Sequence, residues 1–344
     1  MIVVMQPNAT RQQIDQVVQM IREMGLKEHV IKGTELTVVA VIGEDRKKDP
    51  EVFETLPGVQ KAMRVLAPYK MSSREVRRER TIVRLGPNCA FGGAQFSIIA
   101  GPCSVESEEQ IVLSARQVRD AGAHALRGGA FKPRTNPFAF QGHGEDGLKM
   151  LATARAETGL PIVTEVLATD DVELVAQYAD CLQVGTRNAQ NYRLLEAVGR
   201  QPKPVLYKRG MWATIDETLQ AVDYILAAGN EKVILCERGI RTFEKFCRNT
   251  YSLPAITELQ HRSHLPVIGD PSHGTGHTHL VPAAARATVA IGADGLAVEV
   301  HPDPKHAWSD GGQSLDPQQF AELVPMLAKI AECVGKTIPL PQHV

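Results

Sequence analysis

From residue 96 onward, short apolar runs alternate with segments in which apolar positions recur every three or four residues. Continuous or period-two apolar runs make strands and the 3.6-residue period makes amphipathic helices, so their alternation predicts parallel β/α units. Eight strand-like runs occur: FSIIAGPC (96–103), HALRGG (124–129), PIVTEV (161–166), CLQVGT (181–186), PVLYKRG (204–210), VILCERG (233–239), PVIGDPSH (266–273) and GLAVEVH (295–301). Between them, Ser107 with Gln110 and Thr214 with Glu217 have the spacing of a helix N-cap and the side chain that reaches back to it. A doubly wound open sheet is the rival arrangement. Eight successive units without a GxGxxG turn favour closure into a (β/α)8 TIM barrel.

Residues 1–68 follow a different rhythm. Residues 2–5, 36–42 and 63–67 read as β-rich runs, Ile14, Val17, Val18 and Ile21 fall at helical spacing, and a second helix is expected near 49–56. The pattern is βαββαβ, a small α+β sheet of ferredoxin-like type with two helices on one face. The charged stretch SSREVRRER (72–80) offers little to bury and reads as a linker. The expected organisation is a ferredoxin-like domain over 1–70, a linker leading into the barrel over 71–95, and the barrel over 96–344.

Composition narrows the class. The 344 residues are 43% hydrophobic and 22% charged, enough to bury a large core and too mixed for wholesale disorder. The formal net charge of −1 gives no long-range field toward nucleic acid or an anionic membrane, so anion binding must be local. The six cysteines form no CxxC pair, and no apolar run reaches the roughly 18 residues of a membrane span. A reducing cytoplasm is the expected location.

In a β/α barrel the site forms at the C-terminal ends of the strands. Nearly every run ends there in a polar or charged residue: Cys103, Arg127, Glu165, Arg187, Lys208, Arg238, His273 and Glu299. A ring of cations in a concave site repels itself and is costly to desolvate, which points to anionic substrates such as phosphates and carboxylates. Cys103, His273, Glu299 and Asp310 are metal-ligand types, and a mixed thiolate, imidazole and carboxylate set suits Mn, Fe, Co or Zn better than Ca or Mg. The plain alternatives are a buried small hydrophobe for Cys103 and a hydrogen-bonded loop residue for His273. The loop FKPRTNPFAFQG sets Lys132, Arg134 and Thr135 around a proline, a rigid backbone with donors for phosphate oxygens.

The motifs AGPCSVES (100–107), LRGGAFKPRT (126–135), QVGTRNAQN (183–191), KRGM (208–211), CERGIRTFE (236–244), DPSHGTGH (270–277) and EVHPDPKHAWSDGGQSL (299–315) closely resemble the 3-deoxy-D-arabino-heptulosonate 7-phosphate (DAHP) synthase family. The N-terminal unit is similar to the regulatory domain of one subgroup. The resemblance implies a transferase that condenses phosphoenolpyruvate with erythrose 4-phosphate and water, opening the shikimate pathway to chorismate and the aromatic amino acids. It implies that Cys103, His273, Glu299 and Asp310 hold a metal, with manganese favoured. Arg127, Lys132, Arg187, Lys208 and Arg238 would grip phosphoenolpyruvate, Arg134 with Thr135 the sugar phosphate, and Glu165, with Lys208, the reacting water and proton. A homotetramer and inhibition by tyrosine or phenylalanine are further family expectations. Asn136, Phe138 and Thr186 depart from the family pattern, and none of them is a proposed ligand or cation.

Three rivals remain at this stage. A 3-deoxy-D-manno-octulosonate 8-phosphate synthase would use the same chemistry on arabinose 5-phosphate, but its loop reads more like KANRSS than the KPRT found here. A metal-dependent aldolase would not need a second phosphate grip. A silent aromatic amino-acid sensor would tolerate loss of ligands, and all four are present.

Overall fold

The computed structural model describes residues 1–33, 36–43, 49–63, 68–134 and 136–340. Its contacts divide the chain into two units, Met1–Arg80 with Arg262–His264, and Thr81–His261 with Leu265–Val344.

The first unit runs β1 (Ile2–Met5), α1 (Arg11–Glu23), β2 (Lys27–Lys32), β3 (Thr37–Ile42), α2 (Pro50–Glu54) and β4 (Val59–Met63), with the strands in the order β2-β3-β1-β4. Neighbouring strands are antiparallel. A reciprocal cap between Thr10 and Gln13 starts α1, and Asp49 followed by Pro50 starts α2. Period two then sorts the side chains. Val3, Met5, Val39 and Val41 pack with Val17 and Ile21 of α1 and Phe53 of α2, while Ile2 and Val38 face the other way.

Two expectations change here. The fourth strand is Val59–Met63 rather than 63–67, and residues 64–67 lie outside the described residues. The stretch 72–80 is not a solvated linker: Ser72, Ser73 and Val76 are buried, and Val76 packs with Ile2, Ile31 and Val38 on the second face of the sheet. One apolar residue among charges suffices because the long stems of its Arg neighbours can lie over apolar surface while their heads stay wet.

The second unit opens with a hairpin, β5 (Val83–Gly86) and β6 (Cys89–Phe91). Eight β/α repeats follow: β7 (Ser97–Gly101), α3 (Glu108–Asp120), β8 (Ala125–Arg127), α4 (Glu145–Thr158), β9 (Ile162–Glu165), α5 (Val172–Tyr178), β10 (Cys181–Val184), α6 (Tyr192–Gly199), β11 (Val205–Lys208), α7 (Ile215–Ala227), β12 (Val233–Glu237), α8 (Leu253–Arg262), β13 (Val267–Gly269), α9 (Pro271–Thr275), α10 (Val281–Ala290), β14 (Gly295–Glu299) and α11 (Pro317–Cys333). The strands close into a parallel barrel, with β14 pairing back to β7. Thr214 and Glu217 form the expected reciprocal cap. Ser107 caps Gln110, whose side chain turns to the Glu106 N–H instead.

The hairpin escaped sequence reading because its strands are only three and four residues long. Val83, Cys89 and Phe91 enter the barrel core beside Ile99, Val163, Leu206 and Ile234. Phe91 lies so near Gly295, the first residue of β14, that a β carbon there would come within 2.7 Å of its ring. The hairpin therefore closes the N-terminal end of the barrel, and the opposite end carries the polar rim.

Candidate active site

Arg127, Glu165, Lys208 and Glu299 are the last residues of β8, β9, β11 and β14. Arg238 follows β12, Arg187 sits in the turn Thr186–Asn188 after β10, Cys103 lies just beyond β7, and His273 is in α9. A parallel barrel brings all these strand ends to one rim. The side chains meet around one cavity of about 240 Å³, whose lining includes Arg127, Lys132, Arg134, Glu165, Arg187, Lys208, Arg238, His273 and Asp310. Cys103 and Glu299 are buried directly behind this lining. Thr135 lies outside the described residues.

The cations are held by acids and carbonyls. Arg127 Nη1 donates to Glu299 Oε1 at 2.6 Å, and Lys208 Nζ to Asp270 Oδ2 at 2.6 Å. Lys132 Nζ donates to the Cys103 carbonyl at 2.7 Å and faces its Sγ at 3.0 Å. Arg134 Nε donates to the Phe140 carbonyl at 2.9 Å, and the Lys132 N–H to the Gln141 carbonyl, so Lys132 and Arg134 are tied to Phe140 and Gln141. Arg238 differs. Its Nε and Nη1 are buried without a hydrogen-bond partner among the described residues, and burial lowers its pKa. Arg238 lines the cavity with a guanidinium left under-bonded among the described residues, an arrangement that suits an anionic oxygen.

Cys103, Glu299 and Asp310 present donor atoms all within 4.8 Å of one another, a grouping able to hold a metal ion. The Cys103 Sγ is 3.3 Å from Asp310 Oδ2. Burial pushes the Cys103 thiol up to about 11, with Glu299 adding to the shift and Lys132 opposing it. A thiolate therefore forms there only beside added positive charge, which a bound cation provides. His273 stands next to the cluster, with Nε2 3.5 Å from Glu299 Oε1. Its Nδ1 is 2.8 Å from Asp270 Oδ2, although the ring is turned off the line of a hydrogen bond. Burial lowers the His273 pKa against the pull of Asp270 and Glu299, which keeps the ring in the neutral, metal-binding form. Burial works to raise the Asp310 pKa, but Arg248 and, where acid protonates it, His273 outweigh it and hold the carboxyl low.

Glu165 projects into the same cavity, with Gln183 Nε2 donating to its Oε2 at 3.0 Å. A β carbon at Gly185 would fall 1.9 Å from Glu165 Oε1, so a side chain there would push this carboxylate out of its present position.

Several neighbours were not singled out from sequence. Asp270 joins Lys208 to the His273 ring and caps α9, and Asp before Pro was the available signal. The buried pair Arg209–Glu237 (2.8 Å) braces the strands that deliver Lys208 and Arg238. Arg248 lines the cavity 3.3 Å from Asp310. Gln183, Arg248 and Gln313 had no local signal, because their roles come from residues distant in sequence.

A closed β/α barrel with a cationic cavity beside a thiol and carboxylate cluster defines a barrel enzyme for small anionic substrates. The DAHP synthetase I family matches residues 80–335, and the DAHP synthase ferredoxin-like domain matches residues 1–67. The chain belongs to the DAHP synthetase I family. It is 49% identical to the phospho-2-dehydro-3-deoxyheptonate aldolase of Thermotoga maritima, over 97% of this chain and 99% of that protein. A 2-dehydro-3-deoxyphosphooctonate aldolase of Syntrophotalea carbinolica is 35% identical over 72% of this chain and 95% of its own length. Among solved structures, the T. maritima DAHP synthase superposes with a TM-score of 0.78 at 48% identity, covering 98% of this chain and 99% of that one. A truncated form of the T. maritima enzyme superposes at 0.74 with 46% identity, covering 79% of this chain and 99% of that one.

Proposed function

We propose that this chain is a DAHP synthase, joining C3 of phosphoenolpyruvate to the aldehyde carbon of erythrose 4-phosphate. Water adds at C2, and phosphate departs by C–O cleavage. The observation that carries this reading is Arg238, two of whose guanidinium nitrogens are buried without a partner among the described residues, and which lines a cavity with Arg127, Lys132, Arg134, Arg187 and Lys208. Arg127, Lys132, Lys208 and Arg238 are buried; this much buried positive charge destabilises an empty site and suits two phosphorylated substrates, whose mutual repulsion it offsets.

In this reading Arg127, Lys132, Arg187, Lys208 and Arg238 bind phosphoenolpyruvate, and Arg134 and Thr135 the sugar phosphate. Holding the two reacting carbons at roughly 3–3.5 Å is the main contribution of such a grip. Glu165 orients the attacking water, and Lys208, hydrogen-bonded to Asp270, shares the proton movement. Cys103, His273, Glu299 and Asp310 hold a divalent transition metal, Mn in preference to Fe, Co or Zn. When bound, the metal supplies a Lewis acid that polarises the aldehyde oxygen.

The N-terminal unit is read as the sensor for tyrosine or phenylalanine, within a cytoplasmic homotetramer. Support for the sensor comes from a cavity of about 430 Å³ lined by Ile2, Val4, Leu36, Met63 and Val76, with Arg74, Glu75 and Arg78 also lining it. That combination suits an apolar side chain carrying an amino-acid head group.

The deciding experiment mixes purified protein, Mn²⁺ and phosphoenolpyruvate with either erythrose 4-phosphate or arabinose 5-phosphate and follows phosphate release. Rapid release with erythrose 4-phosphate supports the reading. Preference for arabinose 5-phosphate would make the chain an octulosonate phosphate synthase instead.

A further inference from the structure

The four proposed metal ligands come from three separate stretches of the barrel rim. Cys103 follows β7, His273 sits in α9, and Glu299 and Asp310 belong to β14 and the loop beyond it. Cys103 is fixed by Lys132, and Glu299 by Arg127 together with a hydrogen bond from its own N–H to the Ser272 hydroxyl. Asp310 is less secure. It is the one non-glycine residue with positive φ (54°) among the described residues, and its side chain is a quarter exposed.

Arg248 and Asn249, in the loop between β12 and α8, connect these parts. The Arg248 N–H donates to the Thr275 carbonyl at 2.9 Å, and Asn249 Nδ2 to the His273 carbonyl at 2.8 Å, so the dipeptide is moored to α9. Gly276, which ends that helix, lies so close that a β carbon there would sit 2.3 Å from Arg248 Cβ. From this anchor Arg248 Nη1 reaches Asp310 Oδ2 at 3.3 Å and donates to Gln313 Oε1 at 2.7 Å. Gln313 Nε2 in turn donates to Glu299 Oε2 at 2.6 Å.

We infer that Arg248 is a positioning residue for the metal centre: it holds Asp310 directly and Glu299 through Gln313, while Asn249 fixes the turn that carries His273. The inference rests on the ligand set proposed above. A carboxylate on a loop with left-handed backbone must otherwise be ordered when the ion arrives, and a preset partner removes that cost. The guanidinium does not repel the ion-bound centre, because one thiolate and two carboxylates outweigh a dication by one negative charge.

The test titrates Co²⁺ into the full-length protein and reads the near-ultraviolet thiolate-to-cobalt absorption, with Cys103→Ala as the control that loses it. In Arg248→Met the Co²⁺ dissociation constant should rise about ten- to a hundredfold, the range typical for losing a residue that orients a ligand. Arg248→Lys should recover part of the loss, because it keeps the positive charge but its shorter side chain stops short of the position from which Nη1 meets both Asp310 and Gln313. At saturating metal the KM for phosphoenolpyruvate should stay unchanged.

Unchanged or tighter Co²⁺ binding in Arg248→Met overturns the role. So does unchanged metal affinity with a raised KM for erythrose 4-phosphate, which would make Arg248 a substrate grip. If Arg248→Met fails to fold, Arg248→Lys decides: its affinity should lie below that of the unsubstituted chain, and equal affinity overturns the inference. Absence of the absorption band in the unsubstituted chain removes the ligand set and the Arg248 role together, whereas a normal band with unchanged affinity in Arg248→Met removes the Arg248 role alone.

Discussion

Within residues 1–63 every buried side chain among the described residues is apolar, whereas the barrel rim buries Arg127, Lys132, Lys208, Arg238, Asp270 and Glu299, each 8% exposed or less. That segment is built the way stability alone would build it, from Val, Ile, Met and Phe removed from water. The rim is built against stability, since each buried charge costs desolvation that its partner only partly offsets. Several buried cations side by side, with Arg238 partly unbonded among the described residues, are what the proposed binding of anionic substrates would require. The contrast fits the proposed division of labour, with chemistry in the barrel and response in the N-terminal unit.

The sharpest way to break the comparison is to remove one group from each unit. Cys103→Ala should leave a folded protein, judged by circular dichroism, with turnover in Mn²⁺ reduced roughly a thousandfold or more, about 4 kcal/mol of transition-state stabilisation. Full activity of this variant in the presence of chelator would remove the metal from the reaction. In the other unit, Phe53→Ala deletes a fully buried ring. It should cost about 3–4 kcal/mol in urea or thermal unfolding of the N-terminal unit and leave the barrel's kcat intact. A loss of kcat as large as that of Cys103→Ala would erase the distinction between the two units.

A smaller effect is expected at Arg134. Its replacement by Ala removes a charge-assisted donor worth about 1.5–3 kcal/mol, raising the KM for erythrose 4-phosphate ten- to a hundredfold while that for phosphoenolpyruvate holds. Equal weakening of both substrates would mean that the FKPRT loop does not select between them.

The smallest effect concerns acid. Burial works to raise the Glu299 and Asp270 pKa values, but His273 with Arg127, and His273 with Lys208, outweigh it and hold both carboxyls below their ordinary 4.5 and 3.8. Because the folded values are lowered, the unfolded chain binds more protons in the interval between the two states. Their contribution to stability is therefore complete above the ordinary carboxylate range and is lost as pH falls through the lowered values. Glu299→Gln should flatten the dependence of barrel unfolding on pH below about 4.5. An unaltered slope would show that this carboxylate has the same affinity for protons folded and unfolded.

The barrel was legible because most of its strands are largely apolar runs with a polar residue at or just past their end, from Cys103 after β7 to Glu299 at the end of β14. The same punctuation exposed the rim cations, which is why Arg127, Lys208 and Arg238 could be named without coordinates. What the sequence concealed depends on contacts between distant residues. The β5–β6 hairpin is too short to show a period, Val76 is one apolar residue in a charged run, and Arg248 meets Asp310 only because the barrel closes. Asp270 lies between these cases, since its N-cap role is local and its hold on Lys208 is not.

The central claim is that the chemistry resides in the barrel and the response to amino acids in the N-terminal unit. A chain beginning at Thr81 tests it most directly, with initial rates of phosphate release from phosphoenolpyruvate and erythrose 4-phosphate measured beside the full-length protein across tyrosine and phenylalanine titrations. The account predicts that both chains turn over and that only the full-length protein is inhibited, because an effector acts through its differential affinity for two states. A truncated chain that folds but has no turnover, or one that is still inhibited, would contradict it.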